Sequence, residues 1–377
     1  MNKKIDLLTR LAREESTGNL SGEEHYRDNI YYAATDSGYR PIFKALLTNR
    51  CIYDCSYCVN RRSSDLHRGE FTPAEFARKI NRLQLEKKIM GAFISSGVYP
   101  NPEEATARLY RTAYLLRKKY KFSRYLHVKI MPGTSRRLIE RVSKLADRVS
   151  VNIETISGSC LEQIAPDKKG GVLKKTLYDL KQITSSATTQ LMPGVVEDTD
   201  RDILNLSEKL YRRLGLSRVY YSSYRSREDS YSLKKEASVR EKRLYQADFL
   251  LKNYNFAVGE LLIEDKLPRD MDPKLSWALR NPEFFPREIN TASRSSLLRV
   301  PGIGPRSAEK IISLRQKQKI TSHNVSSLSL YQKSRHFLLC DGIYMGHHYD
   351  RDYIKNLLLK NEKKSEKLRL FSDKGDK

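Results

Sequence analysis

Between about residues 40 and 253, short apolar runs alternate with longer stretches in which apolar positions recur every three or four residues. This is the pattern of repeated strand-helix units around a parallel sheet. The runs predict six strands: Ile42 to Thr48, Met90 to Ser95, Tyr125 to Met131, Arg148 to Ile153, Thr188 to Met192 and Arg218 to Ser222. Helix starts are marked between them. Thr72-Pro73-Ala74-Glu75 joins a capping Thr, a Pro at the first helical position and a Glu three residues on, and Asn101-Pro102-Glu103-Glu104 repeats the device. The expected fold is α/β, a partial (βα)6 TIM-like barrel whose chemistry gathers at the C-terminal strand ends. An open doubly wound sheet is the alternative, because periodicity cannot count strands in a ring.

The pattern changes on either side. Residues 1–40 are expected as an N-terminal helical extension and 41–260 as the barrel. Pro268, Pro273, Pro282 and Pro286 mark 261–290 as a Pro-rich linker. Residues 291–345 are expected as a small all-α module and 346–377 as a charged tail, with Asn361 to Lys377 a solvated end. No run approaches the roughly 20 apolar residues of a membrane span. The N-terminal Met1-Asn-Lys-Lys-Ile-Asp lacks the apolar core of a secretory signal, so the expected location is the cytoplasm.

Charge sharpens this picture. The 377 residues carry 70 Lys+Arg against 45 Asp+Glu, a net charge of +25, with an excess both before and after residue 280. A polyanionic partner, nucleic acid, is the natural reading, and general solubility is the bland one. In a reducing compartment the five cysteines call for a role other than disulfides.

Three of the five stand together in Cys51-Ile-Tyr-Asp-Cys55-Ser-Tyr-Cys58, directly after the first strand. A 4Fe-4S cube has four irons, so three thiolates leave one corner open for a small molecule bearing an amine and a carboxylate. Zinc also takes thiolates at such spacing, with His67 or the distant Cys160 as candidate fourth ligands. Cys160 and Cys340 read as buried small hydrophobes. The spacing of Cys51, Cys55 and Cys58, with Tyr57 before the last of them, resembles the signature of radical S-adenosylmethionine (radical SAM) enzymes. That resemblance implies a 4Fe-4S cluster, S-adenosylmethionine as cofactor, and an external electron donor such as flavodoxin or ferredoxin. It also implies cleavage of the cofactor to methionine and a 5'-deoxyadenosyl radical that abstracts hydrogen from a substrate.

By the same resemblance Ser95-Ser96-Gly97 receives the methionine moiety, although the family more often has Gly-Gly-Glu there. Asn152 and Glu154, after the fourth strand, are candidates for the ribose hydroxyls, and Gln190 lies at the end of the fifth. Asn152 and Glu154 could equally satisfy strand-end backbone groups. Arg61 and Arg62 follow the cysteines and are candidates for phosphate contact or plain surface residues. No catalytic side chain is assigned.

Leu297 to Ile311 resembles the helix-hairpin-helix motif of DNA repair and recombination proteins. Gly302 and Gly304 permit a tight turn whose N-H groups meet a phosphate at the next helix's N-terminus, with Ile303 between them. Arg306, Ser307 and Lys310 line the start of that helix, and Ile320 to Cys340 is a candidate degenerate second hairpin. An ordinary helical corner is the alternative. Cys51 to Arg62, Phe93 to Val98, Arg148 to Glu154, Arg218 to Ser223, Asp272 to Ala278 and the hairpin are together similar to radical SAM proteins of DNA modification or repair. The resemblance covers about residues 40 to 345, and the first 40 lack a cysteine that the family pattern places there. It implies action on a DNA base or sugar and a uracil-DNA-glycosylase-like partner, without a membrane. A transfer RNA substrate and a non-enzymatic, zinc-stabilised nucleic-acid-binding protein remain the competing readings.

Overall fold

The computed structural model describes residues 2–12, 26–27, 30–35, 38–224, 230–321, 325–328, 332–346, 350 and 352–358. Two compact units divide the chain, Met1–Tyr245 and Gln246–Lys377.

The first unit is built on an eight-stranded sheet in sequence order: β1 (Tyr26–Arg27), β2 (Ile30–Thr35), β3 (Gly38–Leu46), β4 (Gly91–Ser95), β5 (Tyr125–Lys129), β6 (Arg148–Ser150), β7 (Ala187–Leu191) and β8 (Arg218–Tyr221). From β3 to β8 all pairings are parallel, which matches the six predicted strands. The predicted helix starts are also present. Thr72 Oγ1 accepts from the Glu75 N-H (3.2 Å) while the Glu75 carboxylate accepts from the Thr72 N-H (2.7 Å), and Asn101 accepts from the Glu104 N-H.

The sheet curls. The register aligns Lys44, Phe93, His127 and Arg148 across β3 to β6. The His127 ring lies 6.4 Å from that of Tyr220, three strands away, and Arg148 Nη1 donates to Tyr220 Oη at 2.5 Å across β7. Side chains of non-adjacent strands meet only on a concave face, so this is a half-barrel and not a flat doubly wound sheet. Its interior is polar: burial holds the His127 imidazole neutral, well below its usual range, and the cations of Arg148, Lys129 and Lys44 push the same way.

Two departures lie in the first 40 residues. Among the described residues of the expected extension only Asn2–Leu11 is α-helical, and β1 and β2 add antiparallel strands to the barrel edge. Tyr31 and Tyr32 fit such a strand because aromatic residues favour the pleated surface.

The second unit holds the helices Val258–Leu261, Pro273–Arg280, Arg294–Arg299 and Pro305–Lys317. The stretch 261–290, expected as a linker, is folded. Pro273 starts a helix capped by Asp272, and Pro282 opens a 3-10 turn, so these prolines occupy first-turn positions where no N-H is needed. Trp277 lies edge-on to Phe256, Phe284 and Phe285, the last of which also packs on Phe337. The expected all-α module carries, besides its helices, β10 (Leu338–Cys340) and β11 (Ile343–Tyr344), which form a sheet with β9 (Arg287–Glu288) of the preceding stretch. The described parts of Ile320 to Cys340 are 3-10 turns and β10, not the paired helices of a second hairpin. Within the expected tail 346–377, residues 352–358 are helical and Asn361 to Lys377 lies outside the described residues.

Candidate cluster site and hairpin

The loop after β3 leaves the sheet at Thr48 and returns at Glu70, where the two residues form an antiparallel bridge. Its neck is closed by Asn49, whose amide donates to His67 O (2.9 Å) and accepts from the Gly69 N-H (2.7 Å). Thr48 Oγ1 donates to Gly69 O at 2.9 Å. Inside the loop the Arg68 guanidinium gathers carbonyls: Nη1 donates to Asn49 O (2.7 Å) and Asn60 O (3.0 Å), and Nη2 to Arg61 O (2.7 Å) and Ser64 O (2.8 Å). Asp54 accepts from the backbone and hydroxyl of Ser63, which holds its carboxyl below the usual range, while its own N-H donates to Asp167 at 2.8 Å.

Cys51, Cys55 and Cys58 ride on this frame as free thiols. Cys55 is buried among Leu161, Ile164, Ala165 and Leu173. Burial raises the Cys55 pKa and pushes the Cys58 thiol up to about 12, and the neighbouring sulfurs add to the rise of both. As free thiols Cys55 and Cys58 are therefore protonated at neutral pH, and metal loading must displace their protons. Among the described residues no three His, Cys, Asp or Glu side chains converge on a single-ion position. A cube takes each thiolate on a separate iron, and the donor set suits it: three thiols on one loop, with His67 exposed at the loop neck.

The loop is docked on the end of β4. Gly97 donates to Thr48 O at 2.7 Å, Ile52 donates to Val98 O at 2.8 Å, and a Cβ on Gly97 would stand 2.1 Å from Arg50 O. Glycine is required there by the closeness of two backbones. Of the predicted trio, Ser95 is fully buried, and the buried Ser96 Oγ has no hydrogen-bond partner. The Ser96 hydroxyl is thus a buried polar atom that the protein's own groups leave unsatisfied.

Glu154 lies at the end of β6 with φ +66°, a left-handed conformation that non-glycine residues adopt at a cost of order 1–3 kcal/mol. Its backbone is fixed there by Gln190 O, which accepts its N-H, and by the Met192 N-H, which donates to its carbonyl. Its carboxylate accepts from Lys168 Nζ at 2.9 Å, and the same ammonium donates to Tyr57 Oη at 2.7 Å. Burial alone would raise the Glu154 pKa and lower that of Lys168, but mutual attraction prevails. The carboxyl sits below its usual range and the ammonium well above. Asn152 Nδ2 is 3.4 Å from the other Glu154 oxygen. Tyr57, Glu154 and the sequence-silent Lys168 thus form one charged group beside the cysteines. Lys168→Met should destabilise the fold by about 3–5 kcal/mol in urea unfolding at pH 7, the usual cost of stranding a buried partner charge. The double change with Glu154→Gln should recover most of that loss.

Arg62 Nη1 donates to Ile52 O at 3.1 Å and its side chain is exposed, whereas Arg61 is half-buried and its carbonyl sits on Arg68. Nothing in the sequence distinguishes Lys168 from Lys169 or Arg68 from its arginine neighbours. Only folding gives each its set of partners.

In the second unit Ser293 caps the helix Arg294–Arg299, and the helix Pro305–Lys317 follows a five-residue turn. Gly302 has φ +88°, so it meets the predicted need for glycine. Gly304 is extended at φ −100°, and its glycine answers a different need: a Cβ would stand 3.2 Å from Tyr254 Oη. Ile303 is buried, and its carbonyl accepts from the buried Lys274 Nζ at 2.6 Å. In a planar trans peptide the carbonyl and the following N-H point opposite ways, so with Ile303 O held inward the Gly304 N-H is turned outward. Burial pushes the Lys274 pKa down to about 7. Ala308 is fully buried, where the helices pack closely. Arg306 and Lys310 are exposed and Ser307 is half-buried on the first turns of the following helix. Asn290 ties the motif's ends together by pairing with both backbone groups of Ile320.

The comparisons follow the same division. Residues 46–210 match the Radical SAM superfamily model, and residues 288–325 match the Helix-hairpin-helix motif model. No curated protein matches the chain. Among solved structures it is similar to the FeFe-hydrogenase maturase HydG from Carboxydothermus hydrogenoformans (15% identity, 55% of this chain and 50% of that one, TM-score 0.47). It is also similar to methylornithine synthase, PylB (12%, 53% and 60%, TM-score 0.44), and to Elp3 of the archaeon Methanocaldococcus infernus (16%, 47% and 50%, TM-score 0.34). The chain spans 50% to 60% of the length of these structures. Members of the superfamily use a 4Fe-4S cluster and S-adenosylmethionine. The motif at Cys51, Cys55 and Cys58 fits that superfamily. The family-model matches thus give residues 46–210 a radical SAM superfamily domain assignment and residues 288–325 a helix-hairpin-helix one.

Proposed function

We propose that this protein is a radical SAM enzyme that acts on nucleic acid, with DNA base or sugar modification or repair as its task. The observation that carries the reading is a three-thiol cluster loop on the same chain as a hairpin whose Gly304 N-H is turned outward by Lys274. Cys51, Cys55 and Cys58 would hold the cluster. Ser96, Gly97, Asn152, Glu154 and Gln190 would form the polar rim of the cofactor site, with Ser95 behind them and Tyr57 against Lys168. When bound, the cluster and S-adenosylmethionine supply a carbon radical able to abstract hydrogen, given one electron from a donor such as flavodoxin or ferredoxin. The Lys168 ammonium, charged and buried, offers a cation for the cofactor's carboxylate in addition to Glu154. In the hairpin, the Gly304 N-H, Arg306, Ser307 and Lys310 would hold phosphate without reading sequence. Arg61 and Arg62 would add backbone contacts near the cluster. A uracil-DNA-glycosylase-like protein is the partner this reading favours.

The test uses the full chain, reconstituted without oxygen and reduced with dithionite. It should contain about four irons and convert S-adenosylmethionine to 5'-deoxyadenosine. Deuterium should pass into that product from labelled duplex or single-stranded DNA. Transfer only from labelled transfer RNA would move the substrate to RNA, and zinc in the native protein without any cofactor cleavage would replace the enzyme reading with a binding protein.

A further inference from the structure

We propose that Arg68 is the positioning residue of the cluster loop, folding Asn49 to Ser64 into its working shape before any iron arrives. The inference rests on the cluster site proposed above. A metal site commonly takes its shape from the metal, because scattered ligands have no other reason to converge. This loop has another reason. Four N-H bonds of a single guanidinium are spent on Asn49 O, Asn60 O, Arg61 O and Ser64 O, at 2.7 to 3.0 Å, and Arg62 O lies at 3.4 Å.

The four carbonyls flank the cysteines on both sides, so one planar group joins the strand entering the loop to the segment leaving it. The carbonyls of a loop turned in on itself would otherwise face one another and repel; a cation at their centre makes the turn favourable. The neck is closed independently by Asn49 on His67 and Gly69, and the ring is braced by Asp54 on Ser63 and by Arg62 on Ile52 O. None of these bonds uses a thiol. Cys51, Cys55 and Cys58 are left out of the frame, and the burial of Cys55 against Leu161, Ile164 and Leu173 fixes where the loop faces.

Geometry also distinguishes arginine from lysine here. A lysine has one donor centre with three N-H bonds, which cannot span carbonyls on both arms of the loop, whereas the guanidinium fork can. Charge alone should therefore not restore the loop.

The test is amide hydrogen exchange on the metal-free full chain, comparing peptides that cover 49–65 with peptides from β4 and β7 in the same molecule. In the wild type the loop should be protected without metal. Arg68→Met and Arg68→Lys should both lose protection in 49–65 by at least about tenfold, the equivalent of roughly 1.4 kcal/mol, while β4 and β7 exchange unchanged. Iron taken up in a fixed reconstitution time should fall in parallel. If the wild-type apo loop exchanges as an unfolded segment, or if Arg68→Met protects it as well as arginine does, the proposal is wrong. Should Arg68→Met lose protection everywhere, Arg68→Lys decides between the same two results. Neither measurement involves S-adenosylmethionine or nucleic acid, so the loop assignment can fail while the proposed function stands, and the reverse.

Discussion

Cys55→Ser is expected to lower iron content well below four per chain and to reduce dithionite-driven formation of 5'-deoxyadenosine by more than about 100-fold. Changes to the mere outer partners of metal ligands already cost 10–100-fold, and here a ligand itself is exchanged. Cys55 is the most enclosed of the three thiols, set among Leu161, Ile164, Ala165 and Leu173. A serine hydroxyl there is a hard, neutral donor where iron is met by thiolate. The substitution is nearly isosteric, so the fold should persist, with far-ultraviolet circular dichroism unchanged. Cys160→Ser supplies the contrast. That residue is half-buried on the helix Gly158–Ile164, where its backbone N-H is held by the Ser157 hydroxyl, and its replacement should leave iron content and cleavage within about twofold. A Cys55→Ser protein with four irons and full cleavage would remove the cluster from this loop.

The second large effect belongs to the hairpin. Gly302→Val should weaken binding of a DNA duplex by about 10- to 100-fold, measured by fluorescence anisotropy at one fixed salt concentration, and leave cleavage of S-adenosylmethionine without DNA within about twofold. At φ +88° a β-branched side chain is strained by an amount of order 1–3 kcal/mol, and each 1.4 kcal/mol is a factor of ten. The turn can relieve that strain only by rotating the peptides around Ile303, which takes its carbonyl off Lys274 and the Gly304 N-H out of line. Gly304→Ala should be milder. Its φ of −100° is open to any residue, and the added methyl meets only the Tyr254 hydroxyl at 3.2 Å. Equal loss of binding and of uncoupled cleavage in Gly302→Val would deny the hairpin a separate role.

Local chemistry carried much of this protein's description. The alternation of apolar runs with capped helices was enough for six parallel strands, because strand and helix periods depend only on the spacing of apolar residues along the chain. Cys51, Cys55 and Cys58, and the turn around Gly302, were legible because their chemistry is compressed into a few consecutive positions. The strands β1, β2 and β9 to β11 were not, since they stand outside the strand-helix alternation that marked even the three-residue β6. The prolines of 261–290 misled for a related reason: a proline that breaks one helix starts another, and which it does is decided by the cap before it, as at Asp272.

What tertiary structure alone decided was partnership. Lys168 follows Glu154 by 14 residues and Tyr57 by 111, and Lys274 precedes Ile303 by 29. No spacing rule joins residues so far apart in sequence. A buried charge is tolerated only where the fold brings its counterpart within hydrogen-bond reach, and that condition is set by how distant segments pack. The sequence by itself determined which atoms can hold a cluster or turn a hairpin; the curling of the sheet and the closure of the loop determined which lysine and which arginine serve them.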